Sequence, residues 1–353
     1  MSHTPMQHPA SVTIGLDLGD KASRVYEVDA AGARVAEATI PTTRPGIQRY
    51  FSGRAPCTVI LEVGTHSPWV SRELSALGHV AVVANPSAMF SGRRRRRNDR
   101  LDAEFLARQG RADQALLYPI HHRTLVAQQH LEVLRARDQL VATRSKLINH
   151  VRGAVKSLGH RLPACSAEAF ARRAAPALPD VLAPALTPLL EVIAELSRRV
   201  TSFDREIATL IAQHHPVAQR LQQPAGVGPL TALAFVLLVE DPGRFTKSRD
   251  VGAYFGLVPR LDDSGTSQPQ LRISKAGDAF GRRLLVSAAH YMLGPFGPPC
   301  DLRRFGEALC ARGGKNAKKR AVVAVARKLA VLLHRLWVSD TPYDPAYRLR
   351  AAA

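Results

Sequence analysis

The chain has 353 residues, and its 49 Lys or Arg against 29 Asp or Glu give a formal charge of +20 and a pI near 10.7. This excess of positive charge is typical of a protein that binds nucleic acid, with a merely basic protein as the alternative. At 46% hydrophobic residues the chain is too apolar to be largely disordered. Its length is sufficient for two domains that each bury a core.

The cysteines and apolar runs argue against several other classes. Four scattered cysteines without a C-x-x-C pair predict neither a zinc site nor a disulfide scaffold, and they fit a reducing compartment. No apolar run reaches the roughly 18 residues that a transmembrane helix needs. The N-terminus lacks the layout of a signal peptide, so we expect a cytoplasmic protein.

Strands and helices alternate in the first ninety residues. Residues 11–19, SVTIGLDLG, predict a buried strand with Asp17 near its end, and two further strands complete a meander. A later strand ends near Glu62, and another covers residues 79–86. This order predicts an α/β domain with a mixed sheet, in which functional sites lie at the carboxyl ends of strands. For Asp17, a polar residue at a frayed strand end is the alternative.

A basic run then leads directly into a helix that carries two acids. Asp99 and Asp102 are three residues apart, so a helix places both carboxylates on one side. Positive charge beside paired carboxylates suits a site that holds a polyanion against a divalent metal. A solvated basic loop before an ordinary helix start is the alternative. The residues of the run are Arg93, Arg94, Arg95, Arg96 and Arg97.

The middle of the chain predicts two long helices. Residues 125–158 and a second helix from Leu189 carry apolar residues at four-three spacing, on either side of a Pro/Ala-rich break over residues 163–188. This spacing is typical of a coiled-coil hairpin, which either packs on itself or forms an oligomer contact.

The C-terminal part predicts further helices and a polar loop. A Gly-rich turn at residues 224–228 leads into an apolar helix, and its backbone N–H groups suit contact with a phosphate. Residues 312–320, RGGKNAKKR, are basic again and precede a last helix over about residues 321–337. Basic residues around the polar loop are predicted to bind nucleic acid, namely Arg260, Arg272, Lys275, Arg282 and Arg283.

The acids Asp17, Glu62, Asp99 and Asp102 follow one another on a strand, a second strand and a later helix. This order is typical of RNase H-like nucleases of the junction-resolvase kind, which bind two divalent metals about 4 Å apart. The segments GLDLG, LEVGTHSPWVSREL, VVANPSAMF and NDRLDAEFLAR resemble the N-terminal half of the DEDD transposases of the insertion sequence 110 family, which includes the invertase Piv. The segments PAGVGPLTALAFVLLVEDPGRF, VGAYFGLVPR, DSG and RISKAGDAFGRRLL resemble its C-terminal domain, in the same order.

The resemblance implies a three-part fold. An α/β, RNase H-like (junction-resolvase-like) catalytic domain with a mixed sheet would cover residues 11–120, and a helical coiled-coil connector would cover residues 121–215. A mostly α-helical transposase domain with a serine loop would cover residues 216–337, followed by a tail at residues 338–353.

The resemblance also implies an activity, which is DNA strand exchange that moves an insertion sequence. The four acids would hold Mg²⁺, with two ions expected and Mn²⁺ as a substitute. A serine would attack the DNA phosphate and form a phosphoserine link. Ser264 is the best match, with Ser267 and Ser274 as alternatives. A structured guide RNA would pair with the DNA, in a homodimer or homotetramer associated with the bacterial nucleoid.

Three other functions stay open at this point. A metal-dependent junction-resolvase-like endonuclease would use the acids without a covalent intermediate. GLDLGD also resembles the first phosphate loop of actin-like and sugar-kinase ATPases, although no second phosphate loop follows. A non-catalytic nucleic-acid scaffold is the third. The sequence departs from the family pattern at Gly19-Asp20 and after Glu62, where His66 is either a helper or incidental.

Overall fold

A computed structural model describes residues 12–86, 99–260, 269 and 271–347 of the chain. Its first part is a five-stranded sheet in the order β3-β2-β1-β4-β5. The first three strands are antiparallel neighbours, whereas β4 lies parallel to β1 and β5 parallel to β4. The predicted mixed sheet is therefore confirmed, and it is consistent with an RNase H-like start. The strands are β1 (Val12–Asp17), β2 (Ala22–Asp29), β3 (Arg34–Pro41), β4 (Thr58–Glu62) and β5 (Val80–Ala84).

The central strand β1 is covered on both faces. Ile14 and Leu16 pack in one core with residues of α1 (Arg44–Phe51) and α2 (Ser67–Ala76). Because side chains alternate along a strand, Gly15 and Asp17 face the other side, where α3 (Asp99–Ala112) packs.

The helix α3 lies very close to the sheet because small residues line the contact. A Cβ atom at Gly15 would be 1.9 Å from the carbonyl oxygen of Ala103 and 2.6 Å from the backbone nitrogen of Ala107. At Gly110 a Cβ would be 2.3 Å from a side-chain carbon of Ile60. Only glycine permits such an approach, so these contacts determine the position of α3 on the strands.

The described residues group into two compact units, and the chain passes from the first to the second between Arg123 and Thr124. The second unit begins with α4 (Leu125–Ser157), which packs along α6 (Ala183–His214). Arg137 Nε lies 2.6 Å from Asp204 Oδ1, and Arg144 donates to Ser197 Oγ at 3.2 Å, so the two helices are antiparallel. Coiled-coil packing along their seam stays a prediction.

The start of α6 differs from the sequence prediction. The expected break extends to Pro188, whereas the helix begins at Ala183 and includes this proline. Pro188 costs one backbone hydrogen bond near the helix start, and Leu186 and Leu190 on either side of it are buried. Burial of these side chains outweighs the local propensity that the prediction used.

The helix α8 (Pro229–Val239) lies in the largest core of the second unit, and every residue from Thr231 to Val239 is buried. Side chains of α4 and α6 pack in the same core. The predicted domain boundary near residue 215 lies within the second compact unit, and the division there into a connector and a C-terminal domain stays a prediction. No helix in the described ranges is both long enough and apolar enough to span a membrane. The other helices are α5 (Phe170–Ala174), α7 (Val217–Arg220), α8 (Pro229–Val239), α9 (Val251–Tyr254), α10 (Ala279–Leu293), α11 (Asp301–Ala311) and α12 (Ala317–Ser339).

Candidate active site

Asp17 and Glu62 end two neighbouring parallel strands. Leu16 of β1 is in register with Leu61 of β4, so each acid is the next residue along its strand. Adjacent strands lie about 4.8 Å apart, which brings the two carboxylates to the same edge of the sheet. Alternation places both on the face that α3 covers, since Ile60 packs there with Leu106.

The other two acids lie in the first turn of α3. Asp99 and Asp102 precede the buried residues Ala103 and Leu106 at spacings of three and four, which places all four on one side of the helix. The buried part of this stripe is anchored against β1 at Gly15. The two carboxylates therefore lie on the same side of the helix as its packing contact with β1.

The pKa of Asp17 shows that the four acids share one electrostatic environment. Burial raises this pKa most, and the negative charges of Asp99, Asp102 and Glu62 raise it further, from the ordinary 3.8 to about 6. No three His, Cys, Asp or Glu side chains in the described parts of the chain stand in ligating geometry. Charges interact over several ångströms, whereas Mg²⁺ needs oxygens at about 2.1 Å. The carboxylates are thus close enough to affect one another's charge, but they do not point at one common metal position.

His66, beside this edge of the sheet, has a fixed ring orientation. Trp69 Nε1 lies 3.1 Å from His66 Nδ1, and an indole N–H can only donate, so Nδ1 carries no proton. The ring proton of the neutral imidazole therefore resides on Nε2, which lies 3.6 Å from Asp20 Oδ1. The spacing of three residues to a tryptophan at a helix start is the signal that could have predicted this arrangement.

The loop after Glu62 is fixed by a contact that sequence reasoning missed. Ser67 is fully buried, and its Oγ accepts a hydrogen bond from Gly64 N–H at 2.9 Å. The same Oγ lies 2.8 Å from His122 Nε2, which is 55 residues away in the chain. Burial and the nearby charges of Arg72 and Arg123 lower the pKa of His122. No local pattern marks this pair, because its partners are distant in sequence.

The described residues on either side of the predicted serine loop pair with each other. Pro259 and Ile273 form an antiparallel bridge, and Arg260 N–H donates to Arg272 C=O at 2.9 Å. Ser274 N–H donates to Val258 C=O at 2.8 Å, so this serine lies at the base of the loop. The side chains of Arg260 and Arg272 are exposed there. Ser264 and Ser267 lie outside the described residues, as do Arg93, Arg94, Arg95, Arg96 and Arg97.

Two glycines hold the base of this loop against the preceding segment. Gly256 and Gly277 both have positive φ, and a Cβ at Gly277 would be 2.0 Å from the Tyr254 carbonyl oxygen. Arg282 donates to the carbonyl oxygens of Phe255, at 3.1 Å, and Ala276, at 2.8 Å.

Ion pairs then connect the segment after the loop to α4. Asp278, the N-cap residue of α10, lies 3.0 Å from Arg135, and Arg283 lies 2.5 Å from Asp138. Lys275 is exposed, with a φ of 55°. Structural contacts thus occupy Arg282 and Arg283, and contact of Lys275 and both arginines with nucleic acid stays a prediction.

Comparisons with known proteins identify the family. Residues 14–159 match the DEDD transposases of IS110 elements, and residues 218–299 match the transposase family IS116/IS110/IS902. The transposase for insertion sequence element IS1111A of Coxiella burnetii is 30% identical over 346 residues, which are 94% of this chain and 90% of that protein. The chain belongs to the IS110 family of DEDD transposases. It is an enzyme of insertion sequences that cleaves and rejoins DNA.

Two further relatives match the transposase over most of their length. A probable family 20 transposase of Pseudomonas aeruginosa is 29% identical over 344 residues, covering 94% of this chain and 98% of the relative. The transposase for insertion sequence element IS1328 of Yersinia enterocolitica is 28% identical over 284 residues, which are 80% of this chain and 84% of that protein. The first matched family segment contains all four acids, and the second contains the serine loop.

Proposed function

We propose that this transposase cuts and rejoins DNA at the ends of an insertion sequence with Asp17, Glu62, Asp99 and Asp102 as metal-binding carboxylates. The placement of the acids carries the proposal, because two of them end neighbouring parallel strands and two lie in the first turn of the helix packed there. Burial and then the charges of the three other acids raise the pKa of Asp17, which agrees with this placement. Such repulsion is costly unless a cation relieves it. Carboxylate oxygens are hard ligands that fit Mg²⁺ or Mn²⁺, and four of them suffice for two ions.

The chain's own residues would prepare the site for DNA. The contact of α3 with Gly15 would fix the backbone of two acids relative to the two strand ends, so that convergence on a metal would require movement of the side chains. A bound divalent cation would polarise the attacked phosphate and stabilise the leaving oxygen. The buried Ser67–His122 contact would keep the loop after Glu62 in place.

We further propose a serine nucleophile, with Ser264 favoured over Ser267 and Ser274. Its Oγ would form a bond to phosphorus while the bond from phosphorus to the departing sugar oxygen breaks, and that oxygen takes up a proton. The phosphodiester on the serine conserves the energy of the broken bond. Attack by a sugar hydroxyl would then release the serine and rejoin the strand.

Guide RNA and oligomerisation complete the proposal. The charge of +20 supports a second polyanion besides DNA, and a structured RNA that pairs with target and donor DNA fits it. The acids lie in the first compact unit, and the described residues that flank the serine loop belong to the second. We propose that the metal site reaches the serine either within one chain or across the subunits of a homodimer or homotetramer. Sequencing of the RNA that copurifies with the transposase tests the guide.

Covalent trapping of DNA tests the chemistry. The wild type with Mg²⁺ and an end-labelled duplex carrying the element's end should give a protein–DNA adduct that survives denaturing electrophoresis. Ser264→Ala should abolish the adduct, whereas the matched variants Ser267→Ala and Ser274→Ala should retain it. Asp102→Ala should abolish both cleavage and adduct.

Each other outcome contradicts a defined part of the proposal. An adduct with Ser264→Ala would refute the assigned nucleophile, and cleavage by Asp102→Ala would refute the metal site. Metal-dependent cleavage by the wild type without any adduct would instead establish a junction-resolvase-like endonuclease.

A further inference from the structure

The last helix begins with positively charged side chains, which the helix dipole disfavours at this end. The first turn of α12 contains Lys318, Lys319 and Arg320 but no acid, and the N-cap residue Asn316 makes no side-chain capping bond. The N-terminal end of a helix carries partial positive charge, so each cation there is unfavourable for the helix. This helix start is therefore unfavourable for stability alone.

Nothing in the surrounding sequence neutralises these cations. Residues 308–339 contain eight Lys or Arg and no Asp or Glu. Across the described ranges, Lys315, Lys318 and Lys319 form no ion pair. On the adjacent α11, by contrast, Arg303 pairs with an acid of its own helix, 2.7 Å away. The uncompensated charge is thus a local property of this turn.

The turn between α11 and α12 is exposed and has a defined shape. Gly313 and Gly314 have φ values of 73° and 94°, which allow the chain to reverse between the two packed helices. Arg320 donates to the Gly313 carbonyl oxygen at 3.3 Å. All side chains from Ala311 to Arg320 are exposed except that of Ala317. The cations consequently lie at one accessible end of a helix pair.

We propose that this basic turn, residues 312–320, binds the phosphate backbone of duplex DNA without reading its sequence. A phosphate beside the start of α12 would offset the repulsion between the lysines and gain from the helix dipole. The segment contains no aromatic residue on which an unpaired base could stack, which favours a duplex over single-stranded nucleic acid. DNA is the substrate class of the family, so the proposal adds a binding surface outside the acid cluster and the serine loop.

Salt-dependent binding of the full chain tests this surface. The triple variant Lys315→Ala, Lys318→Ala, Lys319→Ala and the wild type are titrated with a fluorescent random-sequence duplex in EDTA at several salt concentrations. Each lost phosphate contact lowers the slope of log K against log salt by about 0.9, so we expect a decrease of about 2 to 3. The unfolding temperature should stay equal or rise, because like charges leave the helix start.

A second variant and a control separate local from general effects. Lys318→Glu places an acid at the helix start, so it should raise the unfolding temperature and weaken DNA binding. The double variant Arg198→Ala, Arg199→Ala removes two positive charges that pair with Glu195 on α6, and its slope should stay that of the wild type.

Several results would overturn the proposal. An unchanged slope in the triple variant would exclude the surface, and an equal decrease in the control would show only an effect of net charge. A lower unfolding temperature with weaker binding would indicate a structural role. A loss confined to a structured RNA of equal length would assign the turn to RNA. EDTA keeps the binding result independent of the proposed metal site.

Discussion

Asp17→Asn should stabilise the first compact unit at neutral pH. In the folded chain the pKa of Asp17 is about 6, above its ordinary 3.8, first because of burial and then because of the neighbouring acids. A carboxyl group whose pKa rises on folding costs nothing below pH 3.8, where it is protonated in both states. The cost grows from there and is complete above pH 6.

The magnitude follows from that difference in pKa. Moving the pKa from 3.8 to about 6 corresponds to about 3 kcal/mol in full. Asp17 is partly exposed, and solvent screening reduces the cost to roughly 1 to 2 kcal/mol. We therefore expect Asp17→Asn to be more stable by this amount at pH 7.5, with no difference near pH 4.

Urea unfolding followed by tryptophan fluorescence measures this effect. The chain has two tryptophans, Trp69 in the first unit and Trp337 in the second, so a Trp337→Phe background reports on the first unit alone. Asp20→Asn is the matched control, because Asp20 carries the same charge three residues away and is 91% exposed. It should change stability by less than about 0.5 kcal/mol.

Two results would refute this reasoning. A lower stability of Asp17→Asn at pH 7.5 in EDTA, or an equal gain at pH 4, would show that ionisation of this carboxyl group among the other acids is not the cause. Saturating Mg²⁺ provides an independent check. At 100 times its Kd it should stabilise the wild type by about 2.7 kcal/mol and leave Asp17→Asn nearly unaffected.

Three further substitutions test the packing. Gly15→Ala should cost about 3 kcal/mol in Trp69-detected unfolding, since the new Cβ meets Ala103, and an unchanged stability would contradict the close contact. Gly153→Ala, in a part of α4 with open space, should instead add about 0.5 to 1 kcal/mol to Trp337-detected unfolding. Arg135→Ala breaks the pair with Asp278 and should cost less than about 1 kcal/mol. It should lower adduct yield on the order of 10-fold, and an equal yield would show that the pair does not position the loop.

The sheet and the acid-bearing helix could be predicted because their signals are local. Alternating apolar residues indicated the strand that ends at Asp17, and the short apolar run before Glu62 indicated the next parallel strand. The spacing of Asp99 and Asp102 was sufficient to place both on one side of a helix. Their approach to the strand ends was a hypothesis from acid order, and the raised pKa of Asp17 is the observation that supports it.

The remaining features depend on contacts between distant residues. The buried contact of Ser67 with His122 has no local signature. Charge indicated that Arg282 binds nucleic acid, which stays a prediction, but it did not indicate that the guanidinium donates to two backbone carbonyl oxygens. Propensity likewise predicted a break at Pro188, where burial of neighbouring leucines continues the helix. Composition indicates which residue types are present, and tertiary packing decides their orientation.

The close fit of α3 on the sheet has a consequence for related sequences. Because a side chain at Gly15 would meet backbone atoms of Ala103 and Ala107, a larger residue at this position would push the helix outward. Asp99 belongs to the same rigid helix and would move with it. We therefore expect the position of Gly15 to stay glycine among active transposases, because a smaller side chain at Ala103 or Ala107 would not move the backbone atoms that the new Cβ meets. An element copy that breaks this rule should be an inactive remnant even when all four acids are intact.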